Sequence, residues 1–116
     1  MCYRRSVLAI QEYVDELGRS RFRRWVNDLD ESTRARVLIG IGRLENENLS
    51  GVKSVGAGVS ELRLNFGPGF RVYFGRDGAK LVLLLGGGTK ASQPSDIDHA
   101  KEAWKAYKRR KAAGEL

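Results

Sequence analysis

The chain has 116 residues, of which 41% are hydrophobic; this is enough for one domain with its own core and too short for two. The 21 Lys and Arg residues outnumber the 14 Asp and Glu residues, and the net charge of +7 favours a polyanionic partner such as nucleic acid. Cys2 is the sole cysteine, which excludes an intrachain disulfide and a cysteine metal cluster and fits a reducing cytoplasm. The apolar run Val7–Ile10 is too short for a secretion signal or a membrane span, so we expect a cytoplasmic protein with no membrane partner.

The start of the chain predicts one strand followed by a helix. Ser6–Val14 is rich in β-forming residues and predicts a first strand, either at a sheet edge or as a partly covered neighbour of the central strands. Ser20 is a candidate N-cap for the helix. The apolar residues of this helix recur at helical spacing and form one stripe: Phe22, Trp25, Val26 and Leu29.

A second helix is predicted from an N-cap at Asp30 or Ser32 to about Asn46. Because the connection between the two helices is short, we expect an antiparallel helical hairpin. Gly40 and Gly42 weaken the second helix by about 1 kcal/mol each relative to alanine, and we expect them to allow a close approach to the sheet. The predicted buried side consists of Val37, Leu38, Ile41 and Leu44.

The stretch Asn46–Gly58 is polar and glycine-rich, which predicts a loop that carries Lys53. Gly58–Gln93 then predicts three antiparallel strands, because apolar and polar residues alternate with a period of two. A three-residue turn at Gly67–Gly69 would pair Phe66 with Phe70, Leu64 with Val72 and Leu62 with Phe74. A two-residue turn at Asp77 and Gly78 would pair Phe74 with Leu81, Val72 with Leu83 and Phe70 with Leu85.

This pairing predicts one apolar sheet face and one polar face. Arg63 is expected opposite Tyr73, and Asn65 opposite Arg71, at the spacing of cross-strand neighbours. Glu61 shares this face, above an apolar floor of Val82 and Leu84. An ordinary solvated sheet face is the alternative interpretation. A binding site is favoured because three glycines and Lys90 follow the last strand, at the end of the sheet where Arg71 is expected.

The last predicted element is a helix with Ser95 as candidate N-cap. Its buried stripe consists of Ile97, Ala100, Trp104, Tyr107 and Lys111. Its C-terminal end is basic, with Lys105, Lys108, Arg109, Arg110 and Lys111. These cations either complement the helix dipole or contact phosphates or a partner. His99, the only histidine, is not expected to be catalytic. The order strand, two helices, three antiparallel strands and helix predicts a single α+β domain over residues 1–116, with the helical hairpin on the apolar sheet face.

Three segments carry a resemblance to a known family: EYVDELGRSRFRRWV, GVSELRLNFGPGFRVYF and LLLGGGTKASQPSDIDHAKEAW. From about Tyr13 to Tyr107, through the motifs ELR, GPGFRVYF and GGxKxSQxxDIxxA, the chain resembles the RelE/ParE toxin superfamily, and within it the HigB-like "addiction module killer protein" group. The resemblance implies a RelE/ParE-like fold. It also implies a toxin of a bacterial type II toxin–antitoxin pair, which forms a hetero-oligomer with an antitoxin protein, commonly of helix-turn-helix type.

The resemblance also implies an activity. RelE-like members cut messenger RNA in the ribosomal decoding site, ParE-like members poison DNA gyrase, and the HigB-like group is usually placed with the RNA cleavers. We therefore expect a ribosome-dependent mRNA endoribonuclease, with a gyrase inhibitor as one alternative. An inactive homologue that binds only antitoxin and nucleic acid is the other, because Thr89 stands where the group often has an acidic residue before the motif lysine.

Cleavage by a ribose 2′-OH needs a base, an acid and cations that stabilise the phosphorane, but no metal or cofactor. Arg71 and Arg63 are predicted to hold the phosphate because a guanidinium group matches its oxygens. Lys90 is a second phosphate contact or a base, and Glu61 is an alternative base. Tyr73 is expected to stack on a nucleobase or donate a proton. Further nucleic-acid contacts are predicted at Gln93, Lys53, Lys108, Arg109 and Arg110. An antitoxin segment, alternately acidic and apolar, is expected on the floor of Val82 and Leu84 or against the last helix.

Overall fold

The structure, a computed structural model, describes residues 8–116 and shows an α+β fold with one mixed five-stranded sheet and three helices. The sheet order is β1-β5-β4-β3-β2. The strands are β1 (Ala9–Glu12), β2 (Val52–Gly56), β3 (Val59–Leu64), β4 (Phe70–Asp77) and β5 (Leu81–Thr89). The helices are α1 (Arg21–Asn27), α2 (Glu31–Glu45) and α3 (Gln93–Ala112), and a 3-10 turn (Lys90–Ser92) precedes α3. None of the described helices is long and apolar enough to cross a membrane.

The first strand lies at an edge of the sheet, which is one of the two positions predicted for it. Strand β1 pairs in parallel with β5, from Ala9 beside Leu81 to Glu12 beside Leu84. Residues 6 and 7 of the predicted strand, and Cys2, lie outside the described residues.

The two N-terminal helices form the predicted hairpin and cover one face of the sheet. Ser20 caps α1, and its Oγ accepts a hydrogen bond from the Arg23 N–H at 3.1 Å. Asp30, rather than Ser32, caps α2, because its carboxylate accepts from the Thr33 N–H at 2.7 Å. Both helices pack into one apolar cluster with the sheet: Leu8, Phe22, Val26, Val37, Ile41, Leu44, Leu62, Leu64, Phe70, Val72, Phe74, Val82 and Leu84.

The buried stripe of α2 differs from the prediction at one position. Leu38 was expected to be buried, but it is 49% exposed. The buried residues of α2 are Val37, Gly40, Ile41 and Leu44. The face of the helix that packs against the sheet is therefore about a quarter turn away from Leu38. A Cβ at Gly40 would lie 2.5 Å from Leu64 Cδ2, so this glycine gives the predicted close approach to the sheet.

The predicted loop Asn46–Gly58 contains a strand, so that prediction is wrong in part. Strand β2 pairs antiparallel with β3 and forms the second sheet edge, with Lys53 beside Glu61. Only Val52 and Val55 of this strand are partly buried and apolar, so its sequence lacks a clear alternating pattern. The turn to β3 contains Ala57 with a φ of 56°, between two glycines that also have positive φ.

The pairing of β3 with β4 is displaced by two residues from the prediction. Leu64 lies beside Phe70 and Leu62 beside Val72, because the connection comprises the five residues 65–69 instead of three. An even displacement keeps each side chain on its predicted face. It changes the neighbours, however, so that Arg63 lies beside Arg71 and Glu61 beside Tyr73. Asn65 is part of the connection and does not pair with Arg71.

The pairing of β4 with β5 is displaced by an odd number of residues, which inverts the predicted faces of β5. Asp77 lies beside Leu81 and Phe74 beside Leu84, so the turn contains three residues, Gly78–Lys80, instead of two. Val82 and Leu84 therefore lie under the helical hairpin. Leu83 and Leu85 lie on the opposite face with Tyr73. The floor proposed for an antitoxin segment is thus part of the core.

The second sheet face is covered by α3, so neither the open binding face that was favoured nor the alternative, a solvated polar face, is correct. Val59, Tyr73, Leu83 and Leu85 pack there against the predicted stripe residues Ala100, Trp104 and Tyr107. Two tryptophans sit directly on strand glycines, Trp104 on Gly75 and, on the opposite face, Trp25 on Gly87. Helix α3 begins at Gln93, with Ser92 at its N-cap position and Pro94 in its first turn, rather than after Ser95.

The two glycines of α2 form a matched pair for testing the helix–sheet contact. We expect Gly40→Ala to lower the free energy of unfolding by about 1–3 kcal/mol, because the new methyl group overpacks the buried Leu64. A methyl group at Gly42 would meet only Glu45 Oε1 at 3.9 Å, so Gly42→Ala should stabilise by about 0.5–1 kcal/mol through helix propensity. Urea denaturation measures both values. Equal effects would contradict the close packing at Gly40.

The end of α3 is tied to the sheet through Asp77, which predicts a loss of stability in acid. Its carboxylate lies 2.6 Å from Lys111 Nζ and accepts a hydrogen bond from the Tyr107 hydroxyl, and Lys111 followed by Tyr107 lowers the pKa of Asp77. Because the folded pKa is the lower one, this stabilisation is complete above the unfolded pKa and is lost as the pH falls through the folded pKa. Thermal melting should therefore become less acid-sensitive in Asp77→Asn, but not in the control Glu102→Gln on the exposed side of α3.

Candidate functional site

A buried ion pair joins two neighbouring strands. Glu61 on β3 is 1% exposed and Arg71 on β4 is 5% exposed, and Arg71 Nε lies 3.5 Å from Glu61 Oε1. They are the only charged side chains that are buried in the described part of the chain. Charges removed from water in this way require a partner, and each supplies one for the other.

Two further hydrogen bonds hold this pair in place. Gln93 Nε2, from the first residue of α3, donates to Glu61 Oε2 at 2.6 Å. Arg71 Nη1 donates to the Gly69 carbonyl at 3.2 Å, in the connection between β3 and β4. Arg71 Nε forms no hydrogen bond among the described residues, so Glu61 holds the guanidinium by charge alone, and Gln93 of α3 in turn holds Glu61. Gln93, predicted to bind a nucleotide edge or the chain turn, here contacts a carboxylate.

Tyr73 is completely buried beside this ion pair, although the sequence suggested that it could stack on a nucleobase. Its hydroxyl has no hydrogen-bond partner among the described residues. Burial, followed by the negative charges of Glu61 and Asp96, raises the pKa of the Tyr73 phenol above its ordinary value. The phenol therefore stays protonated at neutral pH. Because the ring is buried, a nucleobase cannot stack on it in this conformation.

Arg71 reaches a surface cleft of about 280 Å³, which we call the Arg71 cleft. Two other predicted cations, Arg63 and Lys90, line the same cleft. Both are exposed, and neither forms an ion pair within residues 8–116. Gly69 lies between Arg71 and Lys90, since a Cβ there would be 3.6 Å from both side chains. The cleft thus gathers three cations, and no carboxylate lines it.

A second cleft, of about 330 Å³, adjoins the first and contains functional candidates that the sequence analysis missed. Arg36 and Arg43 of α2 line this Arg36 cleft together with Arg63. The two clefts share the residues from Arg63 to Phe66, and the guanidinium of Arg36 lies 3.9 Å from the centre of the Phe66 ring. The seven-residue spacing of Arg36 and Arg43 on one helix face is the signal that could have identified them.

The remaining predicted nucleic-acid contacts line neither cleft. Lys53 is exposed on the edge strand β2, and Arg109 is exposed on α3. Arg110 donates to the Tyr13 hydroxyl at 3.1 Å and to the Val14 carbonyl at 3.0 Å, so it anchors the chain after β1. Lys108 lines a separate groove of about 880 Å³ between α3 and the β2–β3 turn, which also contains His99 and Trp104.

The residue before the motif lysine, Thr89, ends strand β5 beside Phe70. Its N–H donates to Ser92 Oγ at 3.3 Å, at the start of the turn that leads into α3. The carboxylate of Asp96 accepts a hydrogen bond from Ser92 and lies against Gly88, where a side chain would collide with it. Within residues 8–116, no group of three or more His, Cys, Asp or Glu residues is arranged to hold a metal ion.

Comparison with known proteins gives one informative similarity. No family model matches the chain. A protein of Haemophilus influenzae (strain ATCC 51907 / DSM 11121 / KW20 / Rd), described as "Uncharacterized protein", is 40% identical over 81 residues. The alignment covers 69% of this chain and 82% of the Haemophilus protein. The chain therefore belongs to the same family as this Haemophilus influenzae protein.

Proposed function

We propose that the protein is the toxin of a type II toxin–antitoxin pair and acts in the cytoplasm as a ribosome-dependent mRNA endoribonuclease. The observation that carries the proposal is the Arg71 cleft, where Arg63, Arg71 and Lys90 meet without a carboxylate in the lining. All three residues belong to the motifs that resemble the RelE/ParE superfamily. Arg63 is part of ELR, Arg71 of GPGFRVYF and Lys90 of GGxKxSQxxDIxxA. A RelE/ParE-like topology of the α+β fold is part of the same proposal.

The three cations suit an attack of a ribose 2′-OH on the adjacent phosphate. This reaction places extra negative charge on the phosphorane, and cations held in position before the reaction stabilise that charge most effectively. Arg71 is held in this way, because Glu61 and the Gly69 carbonyl restrict its guanidinium. Arg63 and Lys90 bring two more positive charges to the same cleft.

Glu61 and Lys90, both candidates for the base, have different roles in this proposal. Glu61 is 1% exposed and its two oxygens face Arg71 and Gln93, so it positions Arg71 and does not take the 2′-OH proton. Lys90 is exposed at the cleft and is available for a phosphate contact or for proton transfer. The ribosome contributes by holding the 2′-OH and the phosphate in line, which by itself lowers the barrier substantially.

The partner in this proposal is an antitoxin protein of helix-turn-helix type, which forms a hetero-oligomer with the toxin. Of the two sites considered for it, the floor of Val82 and Leu84 is buried, so the surface of α3 is the one retained. The groove along α3 is lined by Trp104 and by three lysines against two carboxylates, Asp98 and Glu102, and this excess of cations suits a segment with both apolar and acidic residues.

The first test is induced expression in bacteria without the antitoxin, with new 5′ ends mapped inside translated messages within minutes. The unmodified chain should arrest growth and cut messages. Lys90→Ala and Arg63→Ala should each reduce cleavage by about 100-fold, because each removes a cation next to the phosphorane. Lys80→Ala, which removes an exposed lysine from the β4–β5 turn, should cut like the unmodified chain.

Three results would contradict the proposal. Full cleavage by both Lys90→Ala and Arg63→Ala would show that the Arg71 cleft does not take part in the reaction. Growth arrest with intact messages and damaged DNA would move the assignment to a gyrase inhibitor. No growth arrest at all would favour an inactive homologue that retains only binding.

Arg71→Lys is preferred to Arg71→Ala as a third variant. Alanine would leave the buried charge of Glu61 without its cation, at a cost of about 3–5 kcal/mol.

A second test separates the two roles considered for Glu61. If Glu61 positions Arg71, Glu61→Gln should retain part of the cleavage on purified ribosomes, and the pH dependence of the rate should not change. The amide still offers an oxygen to Arg71, so the loss should be about 10-fold and should accompany a lower melting temperature. Complete loss of cleavage at an unchanged melting temperature would instead identify Glu61 as the general base.

A further inference from the structure

The Arg36 cleft and the Arg71 cleft form one continuous positive surface. Together they contain Arg36, Arg43, Arg63, Arg71 and Lys90, which we call the basic tract. No aspartate or glutamate lines either cleft. In a chain with 14 acidic residues and 21 basic ones, the acidic groups of residues 8–116 neutralise this tract at Arg71 alone.

Four of the five cations of the tract have no carboxylate partner within residues 8–116. Only Arg71 forms an ion pair among the described residues, and Arg36, Arg43, Arg63 and Lys90 are exposed. Exposed cations without partners bind a polyanion at low cost, because no ion pair must be broken and condensed counterions are released from the nucleic acid. The tract extends from the phosphate site to α2, beyond the three cations that the reaction itself requires.

Phe66 gives the tract a feature that a phosphate site alone does not need. The aromatic ring is partly buried against Phe70, at a centroid distance of 5.2 Å, which restricts its motion. The guanidinium of Arg36 lies 3.9 Å from the centre of the Phe66 ring. The side chain of Arg36 is nevertheless exposed and makes no hydrogen bond or ion pair with the rest of residues 8–116. Phe66 thereby holds the guanidinium plane of Arg36 in place at the boundary of the two clefts, where a base could stack on it.

We infer that the basic tract binds a single-stranded segment of RNA next to the bond that is cut, with one unpaired base stacked on Arg36. The inference rests on the proposed function, and it adds the path of the substrate and a residue that recognises its unpaired state. Arg43 contacts the phosphates on the side of α2, while Arg63, Arg71 and Lys90 contact the phosphate that reacts. Phe66 is a positioning residue, because it acts by supporting Arg36.

A single strand fits this surface better than a duplex. Arginine planes and aromatic rings stack on bases that are already free of a helix, and such stacking tolerates different sequences. In duplex RNA the base faces are covered by their neighbours, so Arg36 would contribute only its charge.

The test measures binding of a single-stranded oligoribonucleotide whose riboses are 2′-O-methylated, so that no 2′-OH is available for cleavage. Fluorescence anisotropy at several salt concentrations gives both the affinity and its salt dependence. We expect Arg36→Ala and Arg43→Ala to weaken binding and to reduce the slope of log K against log salt by about 0.7 each. Arg24→Ala removes an exposed arginine of α1 that lines neither cleft, and it should change the affinity and the slope much less.

Conservative variants separate stacking from charge. Arg36→Lys should keep the salt slope of the unmodified chain but bind about 5- to 150-fold more weakly, the range expected for the loss of one stacked base. Phe66→Leu, which keeps an apolar residue against Phe70, should weaken binding in the same direction without altering the slope. An oligonucleotide of abasic sugars should bind the unmodified chain and Arg36→Lys equally well, because it offers no base to stack.

Several outcomes would overturn the inference. These are no binding by the unmodified chain, affinities of Arg36→Ala and Arg43→Ala equal to that of Arg24→Ala, and a preference for duplex RNA of equal length. Message cleavage on ribosomes, measured in parallel, separates this result from the proposed function. If messages are cut but Arg36 and Arg43 do not contribute to RNA binding, the proposed role of the basic tract is refuted and the proposed function is not. Binding through the tract without cleavage would refute the endoribonuclease.

Discussion

The buried ion pair of Glu61 and Arg71 is the interaction on which the arrangement of the site depends. Removing two charges from water is costly, and here the cost is offset in part, because Arg71 Nε forms no hydrogen bond among the described residues. Here the partners come from four parts of the fold: β3, β4, the connection that contains Gly69, and the first residue of α3, Gln93. The pair therefore connects the sheet, the cleft and the C-terminal helix, and a change in any of them moves Arg71.

The sheet is able to hold this pair because helices cover both of its faces. Glycines at two strand positions let tryptophans approach the backbone directly, with Trp25 against Gly87 on one side and Trp104 against Gly75 on the other. The two apolar clusters that result are separated by the sheet itself. The end of the sheet near Gly69 is left uncovered, and there the exposed cations Arg63 and Lys90 stand next to the protected guanidinium of Arg71.

Much of the candidate site could be predicted from the sequence, and the missing part has a physical explanation. Arg63, Arg71 and Lys90 were predicted to converge, and they line one cleft, although the pairing that suggested this was displaced by two residues. Arg36 and Arg43 were missed because their seven-residue spacing places them on one helix face but does not indicate which part of the fold that face will meet. The opposite error occurred at Arg110, whose charge is used to anchor Tyr13 and Val14.

The sequence by itself determined the elements other than β2, because local signals are sufficient for them: the caps Ser20 and Asp30, the helical stripes, and the alternation in β3 and β4. Only the tertiary structure decided which face of β5 packs against which apolar cluster. Leu81–Leu85 is apolar at every position, so an alternation of apolar and polar residues cannot identify the two faces of this strand. The turn length and the packing of Trp104 on the sheet settle that choice. They also bury Glu61, Arg71 and Tyr73, because α3 occupies the face on which the polar residues lie.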